Sequence, residues 1–217
     1  MCRQQRKSIG YLYLMPLTLN RYLTGALFGL AILITVHATY AQEVVPPTPW
    51  DDRVLLNIAK GRTPEKTKFL RFMTNTQLYG DIGVPAGLLI GGIASNNQQM
   101  RQNALFVASS TALSYGLMSV IKHFVKRPRP FIHNVHIIPV YRAGSTSFPS
   151  GHTASTFSTA TSLSLAYPKW YVIAPAYLWA GTVSYSRMYL GVHYPTDVAG
   201  GIALGSGSAA SLMFLKK

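Results

Sequence analysis

Beyond Asp81, five stretches of this chain carry no charged residue, and each is sixteen to twenty residues long: 82–100, 102–121, 153–168, 170–186 and 198–215. A helix crosses a bilayer in about 20 residues, so the lengths point to membrane spans. No run alternates strictly enough to argue for a sheet. The expected fold class is all-α, a membrane helical bundle with about five or six spans. The competing arrangement is a soluble all-helical core. None of the stretches is very greasy, and the mean hydropathy of the chain is only +0.18. The third stretch is full of Ser and Thr, and the last is full of Gly, Ala and Ser. Gly201 and Gly205 have the spacing that lets two helices approach closely in a bilayer.

Charge distribution favours the membrane arrangement. Arg3, Arg6, Lys7 and Arg21 precede an uncharged segment from Tyr22 to Ala41, which ends in small residues. Residues 1–41 therefore read as a signal peptide or a first membrane anchor, with residues 42–217 as the working domain. With the basic leader in the cytoplasm, alternating spans place Arg101, Lys169, Lys216 and Lys217 there too, as the bias of Lys and Arg towards cytoplasmic loops requires. The protein would be a multi-pass membrane protein, with the inner membrane of a bacterium as the expected site. Between residues 44 and 78, Leu55, Leu56, Ile58 and Ala59 suggest one short amphipathic helix. Phe69, Leu70, Phe72 and Met73 suggest a second, opened by Pro64. Net charge is +14, yet charged residues are only 12% of the chain. Nucleic-acid binders of this charge carry dense basic stripes on a polar background, so nucleic acid is not the expected partner. Anionic substrates and membrane surfaces fit better.

Three polar clusters interrupt the apolar background. The first is Lys122 with Arg129-Pro130, the second Pro149-Ser150-Gly151-His152, and the third Ser186-Arg187, His193 and Asp197. The alternating topology puts all three on one face, opposite the cytoplasm. Beyond Asp81, Asp197 is the sole acidic residue. Together the clusters supply three cations, two imidazoles and one carboxylate, the set needed to move a phosphoryl group onto histidine. Arg presents a planar fork to phosphate oxygens, and Lys a compact charge. Ser150 suits a helix N-cap, with Gly151 allowing a ligand close to the backbone, and a helix N-terminus favours an anion. Asp197, four residues after His193 and just past Pro195, suits a first helical turn. From there its carboxylate would fix the imidazole tautomer. Each cluster alone also has a plain reading: a lipid-headgroup contact, a capped turn, a capping Asp beside an unrelated surface His. The loop from His123 to Phe148 is basic although it lies outside, so Lys126, Arg127, Arg129 and Arg142 call for a functional reason such as anion binding.

All three patterns occur in order between Lys122 and Asp197, and jointly they resemble the three-part signature of the type 2 phosphatidic acid phosphatase superfamily. That superfamily takes in lipid phosphate phosphatases, class A acid phosphatases and, more distantly, vanadium haloperoxidases. The resemblance implies a core like that of the acid phosphatases and haloperoxidases. It implies that His193 attacks phosphorus to form a phosphohistidine, that Asp197 orients it, and that His152 protonates the leaving oxygen and later activates water. Lys122, Arg129, Arg187, Ser150 and Gly151 would hold the phosphate. No metal and no cofactor is expected, since one carboxylate cannot build a two-metal centre. The expected substrate is a lipid phosphate monoester or diphosphate: undecaprenyl diphosphate, a lipid A phosphate, phosphatidylglycerol phosphate or phosphatidic acid. Two alternatives stay open. One is a soluble exported acid phosphatase of broad range. The other is a membrane protein that binds phospholipid or vanadate without hydrolysis.

Overall fold

The computed structural model describes residues 47–144 and 146–216. The segment read as signal peptide or anchor, residues 1–41, lies outside them. The described residues form seven α-helices and a final 3₁₀ turn, with no strand among them: α1 Pro49–Lys60, α2 Pro64–Ala94, α3 Gln98–Phe124, α4 Pro130–His133, α5 Gly151–Ala166, α6 Trp170–Tyr189 and α7 Pro195–Ser211, then Met213–Leu215.

Helix starts follow local chemistry. Thr48 caps α1 by accepting from the Asp51 amide, the Thr48 amide donates in turn to the Asp51 carboxylate, and Pro49 fills the first helical position. At α2 the Thr63 hydroxyl accepts from the Lys66 amide and Pro64 fills the first position. The amphipathic segment around Phe69 is not a separate surface helix. It is the first third of α2, which runs unbroken for 31 residues through Pro85. The uncharged stretch 82–100 is likewise not one element. Ser95 ends α2, Asn96 takes a left-handed conformation (φ 49°), and the Asn97 side chain caps α3. Two asparagines break the helix without charge or proline, so a search for uncharged runs passes over them.

Helix α5 packs on α2, α3, α6 and α7, and so occupies the middle of the bundle. Its buried positions are Thr153, Ala154, Ser155, Thr156, Ser158, Thr159, Ala160, Ser162, Ser164 and Ala166, all small. Small side chains let neighbouring backbones come close. Gly205 of α7 lies so near that a Cβ there would sit 2.1 Å from the Ala154 carbonyl oxygen, and one on Gly201 would sit 2.8 Å from the Ser150 carbonyl oxygen. The expectation for these two glycines holds.

The interior is polar as well as small. Asp81 of α2 is buried and accepts from Gln77 and, at 2.9 Å, from Thr159. Gln77 also reaches Ser155 and Tyr115, and Thr111 meets Thr159 at 3.0 Å. Large apolar side chains point the other way: Phe72, Tyr79, Ile82, Ile90, Ile93, Leu105 and Leu178 are exposed. Conventional apolar clusters gather at one end. Leu70, Tyr189, Leu190 and Val192 form one, and Leu55, Ile137 and Tyr194 another. They fasten α1 and the loop after α4 to the turn between α6 and α7. Among the described residues, α3 is the one helix both long and apolar enough by composition to cross a membrane.

Candidate active site

Four helix ends meet at the end of the bundle that the apolar clusters fasten. Lys122 comes from the last turn of α3, His152 from the first turn of α5, and Arg187 from the last turn of α6. Asp197 comes from the first turn of α7, with His193 just ahead of it. The chain turns between α6 and α7 at Gly191, whose φ of 74° suits glycine. A Cβ there would also crowd Arg62 and the Pro139 backbone.

His193 is buried. Its Nδ1 faces Asp197 Oδ2 at 3.5 Å, a long contact, and its Nε2 lies 3.3 Å from Arg129 Nη1. With a carboxylate on the Nδ1 side, the proton belongs on Nδ1 and the lone pair on Nε2. Burial, and then the charges of Arg187 and Arg129, push the His193 pKa down to about 3 against the opposing pull of Asp197. The imidazole is therefore neutral across the physiological range.

Asp197 is fully enclosed. Its Oδ2 accepts from the Ser147 hydroxyl and, at 2.8 Å, from the Tyr194 amide; its Oδ1 accepts from Arg127 Nη1 at 2.6 Å. Arg127 continues to Asp51 of α1 at 2.8 Å and lies over the Tyr194 ring at 4.4 Å. Arg127 thus differs from the sequence expectation. It is buried and committed to two carboxylates, whereas Lys126 and Arg142 of the same loop are exposed.

The other cations are held by neutral groups. Lys122 donates to the Thr146 carbonyl at 2.6 Å. Arg129 donates to the carbonyls of Gly144 and Val192. Arg187 donates to the Thr74 hydroxyl at 2.7 Å and lies 5.7 Å from the Tyr141 ring, while its buried Nε has no acceptor among the described residues. Such a donor fits an incoming oxyanion. His152 is half-buried and stands within electrostatic reach of Arg187, His193, Arg129 and Lys122, so the three clusters converge.

Ser150 and Gly151 behave differently from their sequence reading. Ser150 occupies the N-cap position of α5, but its hydroxyl accepts from Thr153 Oγ1 at 3.0 Å and caps no amide. Its own amide donates to the Asp197 carbonyl at 3.0 Å, tying α5 to α7. Gly151 packs on Met118, where a Cβ would lie 3.3 Å from Met118 Cε, so close packing joins ligand access as a reason for glycine. Sequence reasoning missed Asp51, Thr74, Tyr141 and Ser147, and read Arg127 as an anion-binding cation. Thr74 and Tyr141 contact Arg187, Ser147 and Arg127 hold Asp197, and Asp51 holds Arg127, which only their places in the fold reveal.

The model of the PAP2 superfamily matches residues 103–216, more than half of the chain. The chain belongs to the PAP2 superfamily. It is 40% identical over 76 residues to the lipid A 4'-phosphatase of Bacteroides thetaiotaomicron, covering 35% of this chain and 34% of the relative. Its fold is similar to that of LpxE from Aquifex aeolicus, with a TM-score of 0.67 and 26% identity over 79% of this chain and 99% of that one. It is also similar in fold to a transmembrane PAP2-type phosphatidylglycerolphosphate phosphatase from Bacillus subtilis. There the TM-score is 0.62 and the identity 23%, over 88% of this chain and 92% of that one. The all-helical architecture thus matches PAP2 membrane phosphatase folds. The chain spans between about a third and just under two thirds of the length of the first curated relatives it matches.

Proposed function

We propose that this PAP2 chain is a metal-independent phosphatase that hydrolyses a lipid phosphate monoester or diphosphate through a phosphohistidine. The observation that carries the reading is His193 itself. It is a buried neutral imidazole with a carboxylate behind Nδ1 and a guanidinium beside Nε2. Nε2 attacks phosphorus and the bond to the leaving oxygen breaks. Burial, and then the charges of Arg187, His193, Arg129 and Lys122, lower the His152 pKa to about 3, so without substrate this imidazole is neutral too. The anionic phosphate offsets those cations on binding; His152 then takes up a proton and gives it to the leaving oxygen, and Asp197 stabilises the positive charge that forms on His193. Water, deprotonated by His152, then attacks the phosphohistidine and releases phosphate and the free imidazole. Lys122, Arg129, Arg187 with its unpaired Nε, the Ser150 hydroxyl and the first amides of α5 at Gly151 bind the phosphoryl oxygens. Phosphoryl transfer needs mainly positioning and charge stabilisation, and these groups supply both. The nearby carboxylate is engaged by Arg127 and Ser147, so the donor set suits an anion better than a metal.

A lipid substrate fits the polarity of the fold. A bundle with Asp81, Gln77 and many hydroxyls inside and Phe72, Ile82, Ile90 and Leu105 outside is arranged for an apolar solvent. In this reading α2, α3, α5, α6 and α7 are spans. The site opens at the outer, periplasmic face. The relatives named for lipid A and phosphatidylglycerolphosphate support a lipid phosphate in general. Exposed Lys126 and Arg142 suit a polyanionic head group, such as a diphosphate or a lipid A phosphate.

The test is phosphate release from a panel of lipid phosphates and one soluble ester, by detergent-purified protein in EDTA, with His193→Ala as control. Turnover of a lipid that the variant loses, with ³²P trapped on wild-type protein in an acid-labile form, is the expected result. Preference for the soluble ester, or release that survives His193→Ala, would overturn the reading.

A further inference from the structure

Asp51 lies on α1, ahead of residue 103, where the family match begins. Its local task is to cap α1 through Thr48, which a carboxylate on a surface helix could do while fully solvated. Asp51 is instead fully buried against α7. The Thr196 amide donates to its Oδ1 at 3.1 Å, the Thr196 hydroxyl lies 2.9–3.0 Å from both its oxygens, and Arg127 Nη2 donates to its Oδ2 at 2.8 Å. The other prong of that guanidinium holds Asp197 at 2.6 Å.

We infer that Asp51 is a positioning residue for the nucleophile, acting through Arg127 and Asp197. The inference rests on the roles proposed above for His193 and Asp197. Two physical arguments support it. The first is geometric. A planar fork bonded at both prongs and stacked on Tyr194 cannot turn without losing a bond. Asp51 therefore fixes the plane of Arg127. Arg127 in turn fixes Oδ1 of Asp197, leaving Oδ2 directed at His193. The second concerns charge. Arg127 and Asp197 alone form a neutral pair with little pull on a cation. Asp51 restores one net negative charge to this enclosed group, beside the imidazole that becomes positive on attack. Burying a carboxylate is costly unless it is paired and hydrogen-bonded, and each of these contacts meets that condition.

The experiment is a double-mutant cycle on the full chain in detergent, measuring kcat, KM and inhibition by inorganic phosphate. Asp51 touches no phosphate-binding group, so Asp51→Asn is expected to lower kcat about 30-fold, within the range of coupled neighbours. KM and the inorganic phosphate inhibition constant should stay within about twofold. In an Asp197→Asn background the same change should cost less than about twofold, because the path it acts through is already cut. Thr48→Ala removes the cap partner alone and should leave kcat unchanged. If Asp51→Asn does not fold, Thr196→Val loosens the same contacts and also removes the hydroxyl that accepts from Arg127 Nη1 at 2.6 Å. It should lower kcat about fivefold in the wild type and not at all in the Asp197→Asn background. Equal losses in both backgrounds, or an unchanged kcat in Asp51→Asn, would overturn the inference while a crippled Asp197→Asn upheld the proposed mechanism. A fully active Asp197→Asn would remove both.

Discussion

The contact between α5 and α7 sets the distance between the two imidazoles, and Gly205→Ala tests it. A Cβ on Gly205 would lie 2.1 Å from the Ala154 carbonyl oxygen and 2.9 Å from the Ser158 amide nitrogen, where ordinary contact begins at 3.4 Å. Both obstacles are backbone, so no rotamer change relieves them. The helices must part by about 1.3 Å, or the substitution cannot be accommodated. Forcing extra volume into a packed interface costs typically about 1–3 kcal/mol, and a clash with backbone belongs at the upper end. The catalytic effect should be larger than the stability effect. Ala154 stands two residues after His152 on α5, and the α7 start carries Asp197. Misplacement by about 1 Å can cost about 100-fold in rate. The expected outcome is a kcat about 100-fold lower, with a thermal inactivation midpoint several degrees below wild type in the same detergent. Gly207→Ala is the matched control. Nothing lies within 4 Å of its added Cβ, so activity should hold, and helix propensity should stabilise by up to about 1 kcal/mol. Wild-type activity and midpoint in Gly205→Ala would refute the claim that backbone contact positions the site.

Two further outcomes follow from the geometry. The folded-state pKa of His193 is about 3, below the ordinary value of 6.5, so between these two pH values the unfolded chain binds a proton that the folded one does not. Its contribution to stability is present above pH 6.5 and shrinks on acidification, by up to about 1.4 kcal/mol per pH unit. Inactivation midpoints from pH 7 to 4.5 should fall more steeply for wild type than for His193→Gln, and parallel slopes would refute it. Thr74→Val removes the acceptor of Arg187. A hydrogen bond to a charged group is worth about 1.5–3 kcal/mol, so kcat/KM should drop at least about tenfold, and an unchanged value would show that Thr74 does not set the guanidinium.

The groups expected to do the chemistry were legible because it requires particular residue types. No other grouping in the chain offers Lys122, Arg129, His152, Arg187, His193 and Asp197 at such tight spacing. Gly201 and Gly205 were legible for a similar reason, since close approach of helices in a bilayer favours that four-residue step. What stayed hidden depends on tertiary contact. Asp51 and Thr74 precede the first cluster and look like an ordinary helix cap and an ordinary helix polar residue. Arg127 looks like one more loop cation, and only folding shows that it bridges two carboxylates. The turn at Asn96-Asn97 and the unbroken run of α2 do not show in the charge pattern, because neither helix boundary coincides with a change in charge. In fact α2 carries Lys66, Lys68 and Arg71 into an uncharged stretch without interruption.

The distribution of polarity in the bundle inverts the usual pattern of tolerance to substitution. In a water-soluble protein the surface accepts most polar changes and the interior resists any change of volume. Leu105, Ile90 and Leu178 face outward; in the membrane arrangement proposed above they could be exchanged among apolar types at little cost, whereas a charge at any of them would meet hydrocarbon. Inside, Ser155 or Thr159 cannot become a larger residue without separating backbones, nor an apolar one without stranding Asp81 and Gln77. Random variation in this chain should therefore accumulate as apolar-for-apolar exchange on the outer faces of α2, α3 and α6. The hydroxyls and glycines lining α5 and α7 should stand nearly still.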